Sequence, residues 1–168
     1  LRFSVGLNLG LHYLSGAITF DPVVGEVDAL TASKVVLLDS LITNIDRTVR
    51  NTNLLSWNRE LWLIDHGASL YFHHNWNNWE QHVGRGFPAV REHVLLAWAT
   101  QLMEAEAIFR KVITSELVQD VLDVIPDEWL EEASDERSPE DKRNAYHTFL
   151  TTRIAQLHLL TKEAQDAR

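Results

Sequence analysis

The chemistry-bearing residues of this sequence gather between positions 44 and 82. Asp46 and Asn51 stand in a D-x4-N spacing, and Asp65-His66-Gly67 follows fourteen residues after Asn51. Two carboxylates and one amide oxygen form a hard, all-oxygen donor set, which suits Mg²⁺ with several of its waters retained. Such a set suits phosphoryl transfer, in which one carboxylate orients an attacking hydroxyl while the amide and the second carboxylate hold metal against phosphates. Taken singly, each of these residues is ordinary loop chemistry, because Asp and Asn side chains readily cap turns. The combined spacing, with a helix before it and a hairpin inside it, favours the metal-and-substrate reading. His66, His73, His74 and His82 beside Asp65 offer an alternative, a His-based metallohydrolase holding zinc or iron. Their spacings give no helical i, i+4 pair, and no HExxH is present.

The elements that must position these residues are legible around them. From Glu26 to about Thr43, Val27, Leu30, Lys34, Leu37/Leu38 and Leu41 recur at steps of three and four, which predicts a helix. Residues 44–53 are polar and rich in turn formers. Leu54–Trp57 and Leu61–Ile64, separated by Asn58-Arg59-Glu60, predict a β-hairpin that carries the chain out and back. Asp65 then emerges beside the point where the hairpin began, close to Asp46 and Asn51. Residues 65–87 have neither helical nor strand period, and a loop of that length is usually functional.

The rest reads as helix. Pro88 opens one running to about Lys111, and Thr114 caps the next, with Leu117, Val118, Val121 and Leu122 on its buried face. Ser138-Pro139-Glu140-Asp141 starts a last helix reaching about Ala167, which buries Tyr146, Phe149/Leu150, Leu157 and Leu160. Near the start, Gly6, Gly10, Gly16, Pro22 and Gly25 leave room only for a short helix, about Leu7–Leu14. The large aromatics Trp62, Trp76, Trp79 and Trp98 read as packing anchors, and Arg85 between two glycines as a solvated turn. The expected fold is therefore mainly α with one small β-hairpin, in a single domain over residues 1–168.

Composition bounds the possibilities. The 168 residues are 45% hydrophobic and 23% charged, as in a globular domain. The net charge of −9 disfavours a nucleic-acid partner, since phosphate backbones are bound by cations. Residues 127–141 hold eight acids against Arg137, so −7 of that charge lies in one stretch, expected to be a solvated connector. Cysteine is absent, which excludes disulfides and thiolate chemistry. No apolar run is long enough for a membrane span, and the reading is a cytoplasmic protein. The chain starts at Leu1 with Met103 as its sole methionine, so it reads as a fragment.

N-I-D-R-T-V-R-N followed by L-W-L-I-D-H-G resembles the catalytic loop and metal-binding triplet of kinases with the protein-kinase-like fold. The likeness is to the branch of the phosphoinositide kinases and HipA-like kinases, in which Asp-Arg replaces the His-Arg-Asp order. The run LLDSLITNIDRTVRNTNLLSWNRELWLIDHGASLYFHHNW resembles bacterial HipA-like kinase domains in particular. The resemblance implies the C-terminal lobe of that fold, ATP as phosphoryl donor and Mg²⁺ as metal. Asp46 becomes the catalytic carboxylate facing the acceptor hydroxyl, and Asn51 and Asp65 become the Mg²⁺ ligands. Leu54 and Ile64 line the floor of the adenine pocket, and Arg47 either steadies the phosphates or locks the loop. The implied acceptor is a protein Ser or Thr, with small molecules and lipids also open. Kinases of this fold carry a first lobe with a phosphate-covering loop and a strand lysine. Lys34, in the predicted helix, is the sole lysine before Asp46. The expectation is a second lobe that needs its N-terminal partner lobe and is inactive alone. A catalytically silent helical interaction module that keeps the kinase architecture is the competing reading.

Overall fold

The computed structural model describes residues 5–74, 76, 79–131 and 135–168. Asn75, Asn77 and Asn78 of the predicted polar loop, and residues 132–134 of the acidic stretch, lie outside the described residues. The fold is mainly helical with a small antiparallel sheet. In chain order its elements are β1 (Ile18–Thr19), α1 (Ala29–Leu41), β2 (Leu54–Trp57), β3 (Glu60–Leu63), α2 (Glu80–Val83), α3 (Leu102–Val112), α4 (Ser115–Asp123), α5 (Asp127–Leu130), α6 (Pro139–Ala155) and α7 (Leu157–Ala167).

Helix α1 is the central element. Asp28 caps it by accepting the Thr31 N–H at 2.9 Å, so it begins three residues later than the apolar period suggests. Eight of its thirteen residues are buried, because α3, α6 and α7 all pack against it. The main core joins Val35, Val36 and Leu37 of α1 to Leu54, Leu95, Leu102, Leu157 and Leu160.

The hairpin forms with a tighter turn than its sequence suggests. Asn58 and Arg59 both take positive φ (51° and 68°), the geometry of a two-residue turn whose twist matches the strands, and Glu60 already pairs with Trp57. A third strand, β1, adds to β2 through Ile18↔Ser56 and Thr19↔Leu55, giving the order β1-β2-β3. Trp57 and Trp62 meet edge-to-face at 5.5 Å on this sheet.

Three helical expectations are corrected. Residues 7–14 are not helical; Leu7, Leu9, Leu11 and Tyr13 are exposed, on an alternation of apolar and polar or glycine positions that has no helical face. The helix expected from Pro88 to Lys111 is broken into 3₁₀ turns at Pro88–Glu92 and Leu96–Trp98, with α3 beginning only at Leu102. The cause is His93, whose backbone is extended and bridges Thr48, so tertiary pairing overrides local helical period. The last helix, which does start with the Ser138/Asp141 capping box, divides at Gln156 into α6 and α7. That break lets Leu157, Leu160 and Ala164 turn onto the main core while α6 covers a second cluster of Phe72, Trp76, Val83, Ala145 and Phe149.

On α4, Val118 and Leu122 are buried as expected, whereas Leu117 and Val121 are exposed. The acidic stretch is not a free connector either. Asp135 pairs with Arg137 at 3.0 Å and with the buried Lys142 at 3.1 Å, and Asp127 pairs with Arg143 at 2.6 Å, which ties the stretch to α6. No helix among the described residues is long and apolar enough to cross a membrane.

Candidate functional site

The C-terminus of α1 delivers the chain into the loop 42–53, and the return of β3 delivers Asp65 to the same place. Asp46, half-buried, accepts through Oδ2 from Asn51 Nδ2 at 2.7 Å and from Asn53 Nδ2 at 3.1 Å. The Asn53 amide also donates to the Asp65 carbonyl oxygen at 3.4 Å, so it stands between the two acidic positions. Asp46 and Asn51 are thereby in direct contact and the Asp65 backbone lies beside Asn53, while the Asp65 carboxylate accepts the Gly67 N–H at 3.3 Å. Asn53 was not legible as part of the site. Its signal was only that of one more asparagine in a turn-rich run, yet it is buried with φ 47°, a left-handed conformation that asparagine tolerates better than most residues.

Backbone strain clusters here. Thr43, Asn53, Asp65 and Leu70 all have φ between 47° and 55°, and the loop's own hydrogen bonds hold them. Thr48 N–H donates to the Asn51 carbonyl at 2.9 Å, Ile64 N–H to the Asn53 carbonyl at 3.0 Å, and Leu70 N–H to the Ile42 carbonyl at 2.7 Å. Such conformations persist where the surroundings over-determine them.

What over-determines this loop is a buried polar network that sequence reasoning missed. Asp39, on the inner face of α1, accepts from Arg47 Nε at 2.5 Å and His93 Nε2 at 3.0 Å on one oxygen, and from Asn44 Nδ2 at 3.0 Å on the other. His93 Nδ1 accepts the Leu95 N–H at 3.0 Å, which places the proton of the neutral ring on Nε2, facing the carboxylate. Arg47 is 1% exposed. Its guanidinium also donates to the Asn53 carbonyl and, at 3.5 Å, to the Ile64 carbonyl, and it meets His66 Nε2 at 3.1 Å. Between the two jobs left open for Arg47, these contacts are those of a lock that ties α1 to both edges of the loop. Burial pushes the Asp39 carboxyl upward, but hydrogen bonds from His93 and Arg47 outweigh it and hold the group below the usual carboxylate range. His66 is held below the ordinary imidazole value by burial and by the Arg47 charge, so its Nε2 is an acceptor for the guanidinium. The available signal was an acid on an apolar stripe: Asp39 lies four positions beyond Val35 and three beyond Val36.

Leu54 and Ile64 share one cleft of about 560 Å³ with Asn51, Asn53, Phe20 and Asp21. Leu54 is fully buried in its floor and Ile64 is partly exposed at its edge. The residues fit a hard divalent cation. Asp46, Asn51 and Asp65 supply only oxygen ligands on an accessible surface, and Asn51 uses its N–H group on Asp46, leaving its amide oxygen as a ligand atom.

The histidine cluster does not assemble in the same way. His66 faces Arg47, and His73 Nδ1 meets the Tyr146 hydroxyl at 3.3 Å. Among the described residues no three His, Asp or Glu side chains are placed to hold a metal between them. The tryptophans are mostly packing groups: Trp76 is buried, Trp79 and Trp98 are half-buried, and Trp62 lies on the exposed sheet.

A family model described as HipA-like kinase matches residues 12–158 of this chain. No curated protein and no solved structure matches it.

Proposed function

This chain belongs to the HipA-like kinase family, and on that premise we propose that residues 1–168 form the catalytic C-terminal lobe of a kinase that transfers the ATP γ-phosphoryl group to a hydroxyl. The observation that supports the reading is that the Asn53 amide bonds both the Asp46 carboxylate, which Asn51 also contacts, and the backbone of Asp65, so a loop and a strand end meet there. Asn51 and Asp65 would hold Mg²⁺, and Leu54 and Ile64 would line the adenine side of the cleft they share. The metal, when bound, supplies charge neutralisation for the phosphates.

The chain's own residues supply position and proton transfer. Asp46 orients the acceptor hydroxyl and takes its proton on a carboxylate oxygen. The two asparagine amides that donate to Asp46 Oδ2 leave its other oxygen for that hydroxyl, and they fix the carboxylate plane at the same time. Arg47, through Asp39 and His93, keeps the loop from moving when the acceptor arrives. The acceptor in this reading is a Ser or Thr of a protein. An N-terminal lobe that grips the nucleotide would complete the enzyme.

The test is γ-phosphate transfer by the intact enzyme, with Asp46→Ala and Asp65→Ala compared with the parent. Both are expected to lose at least about a hundredfold in rate, the usual loss for a positioned acid–base group, with the melting temperature unchanged in Asp65→Ala, whose side chain is exposed, and lowered in Asp46→Ala, which loses the bonds from Asn51 and Asn53. Full activity in Asp65→Ala would overturn the metal role. Full activity in Asp46→Ala would likewise overturn its catalytic role, and no phosphate transfer by the intact parent would leave the silent interaction module as the better account.

A further inference from the structure

A second and more apolar groove, of about 480 Å³, shares no lining residue with the 560 Å³ cleft and takes in Thr43 and Ile45 of the loop. Its floor is aromatic, made by the buried Phe72, Phe87 and Phe149, and Pro88 and Ala89 form one exposed wall. Ile45 and Tyr71, 51% and 60% exposed, stand at its rim although both are large apolar side chains. Ile45 is the residue before Asp46, and consecutive Cα atoms are about 3.8 Å apart. The groove therefore borders the loop that carries Asp46.

Its electrostatics run against those of the chain. The net charge is −9, yet no Asp or Glu lines the groove, whereas His74, His82 and Arg85 do, all exposed. Arg153 also lines it, 2% exposed. Its guanidinium donates to the carbonyls of Leu41 (2.9 Å), Ser40 (2.7 Å), Arg85 (2.7 Å) and Val83 (3.4 Å), and among the described residues it has no carboxylate within ion-pair distance. The acid that acts on it, Glu163, spends an oxygen on the Phe87 N–H. Carbonyl dipoles thus solvate this cation without an ion pair, and Arg85 is the exposed cation on the groove.

We propose that this groove seats the phosphoryl acceptor, and that the acceptor is a polypeptide segment with a bulky apolar side chain beside its hydroxyl residue and a carboxylate beyond it. The apolar side chain enters between Ile45, Tyr71 and Phe87, and the carboxylate reaches Arg85. A volume of this size suits one or two side chains, not an extended surface. The chain's overall negative charge repels an anionic membrane, which sets the peptide ahead of a lipid headgroup. This assignment rests on the kinase reading for its position next to Asp46, but the binding it describes is measurable without catalysis.

The test uses fluorescein-labelled peptides built around one Ser, with Leu or Ala beside it and Asp or Lys beyond, titrated against this chain by anisotropy. The Leu/Asp peptide is expected to bind at least about tenfold tighter than the Ala/Asp peptide, the scale of a few buried methylenes. Ala89→Trp, which fills the groove from an exposed position, is expected to abolish that difference, and Arg85→Glu to reverse the Asp-over-Lys preference. Equal binding of all peptides, no binding, or unchanged selectivity in Ala89→Trp would each overturn the proposal. Binding of phosphatidylserine vesicles that is lost in Ala89→Trp would overturn it in favour of a membrane. Selective peptide binding without phosphate transfer by the intact enzyme leaves the groove standing and removes the phosphoryl-transfer reading, so the two failures are distinct.

Discussion

Two arginines, each at most 2% exposed, both bond to the C-terminal part of α1 and are handled in opposite ways. Arg47 is paired with a carboxylate, Asp39, that accepts two further hydrogen bonds of its own. Arg153 has no ion pair among the described residues; it bonds carbonyls, two of which, Ser40 and Leu41, belong to the last turn of α1, and lies over the Phe149 ring at 5.2 Å. Those carbonyls lack helical partners and carry the negative end of the helix dipole, so a cation there acts as a cap. The difference teaches what each charge is for. A neutralised pair in the interior resists change and suits a hinge that must not move, whereas a cation held by carbonyl dipoles, without an ion pair, suits a surface that must attract. Burial pulls the Arg153 pKa down to about 10, still far enough above neutrality to keep it charged.

Breaking the pair has the largest expected effect. Asp39→Ala strands a buried guanidinium and should cost about 3–5 kcal/mol, read as a shift of the urea midpoint, together with loss of phosphate transfer because the loop loses its lock. Arg153→Met should cost less, about 1–3 kcal/mol, because the unsatisfied carbonyls are offset by removing an expensive buried charge. If Arg153→Met proves as damaging as Asp39→Ala, the contrast between the two sites is wrong. The smallest effect is on pH dependence. The folded pKa of Asp39 is depressed, so its contribution is fully present above the unfolded value of about 3.9 and is lost as pH falls through the lower folded value. Asp39→Asn should therefore flatten the acid limb of the stability–pH curve below about pH 4, and an unaltered limb would show that other carboxylates dominate it.

What could be read in advance follows the range of the interactions involved. The Ser138 capping box, the Thr114 cap and the hairpin are local, and each forms where its residues stand. Asp46, Asn51 and Asp65 were legible because a hairpin is the simplest device that returns a chain to its origin. Asn53, Asp39 and His93 were not, since their roles depend on who faces them, and His93 meets Asp39 across 54 positions. The same pairing explains the broken helix after Pro88, whose apolar period is real but loses to the Thr48↔His93 bridge. The groove was equally hidden: its rim comes from residues near 45, its wall from residues near 88 and its floor in part from α6.

The reach of the Arg153 contacts bears on how the chain acquires its working form. Leu41 and Ser40 wait for a guanidinium 112 and 113 positions downstream, and Arg47 and Asp39 wait for a ring more than forty positions away. Closure over such separations is late and slow relative to local structure. During synthesis, α1 and the hairpin can form well before either partner has left the ribosome, but the loop between them remains without its lock. Competence to bind and orient an acceptor then arises as one of the last events of folding, and a chain interrupted before α6 would carry every residue of the motif without the geometry that makes it a site.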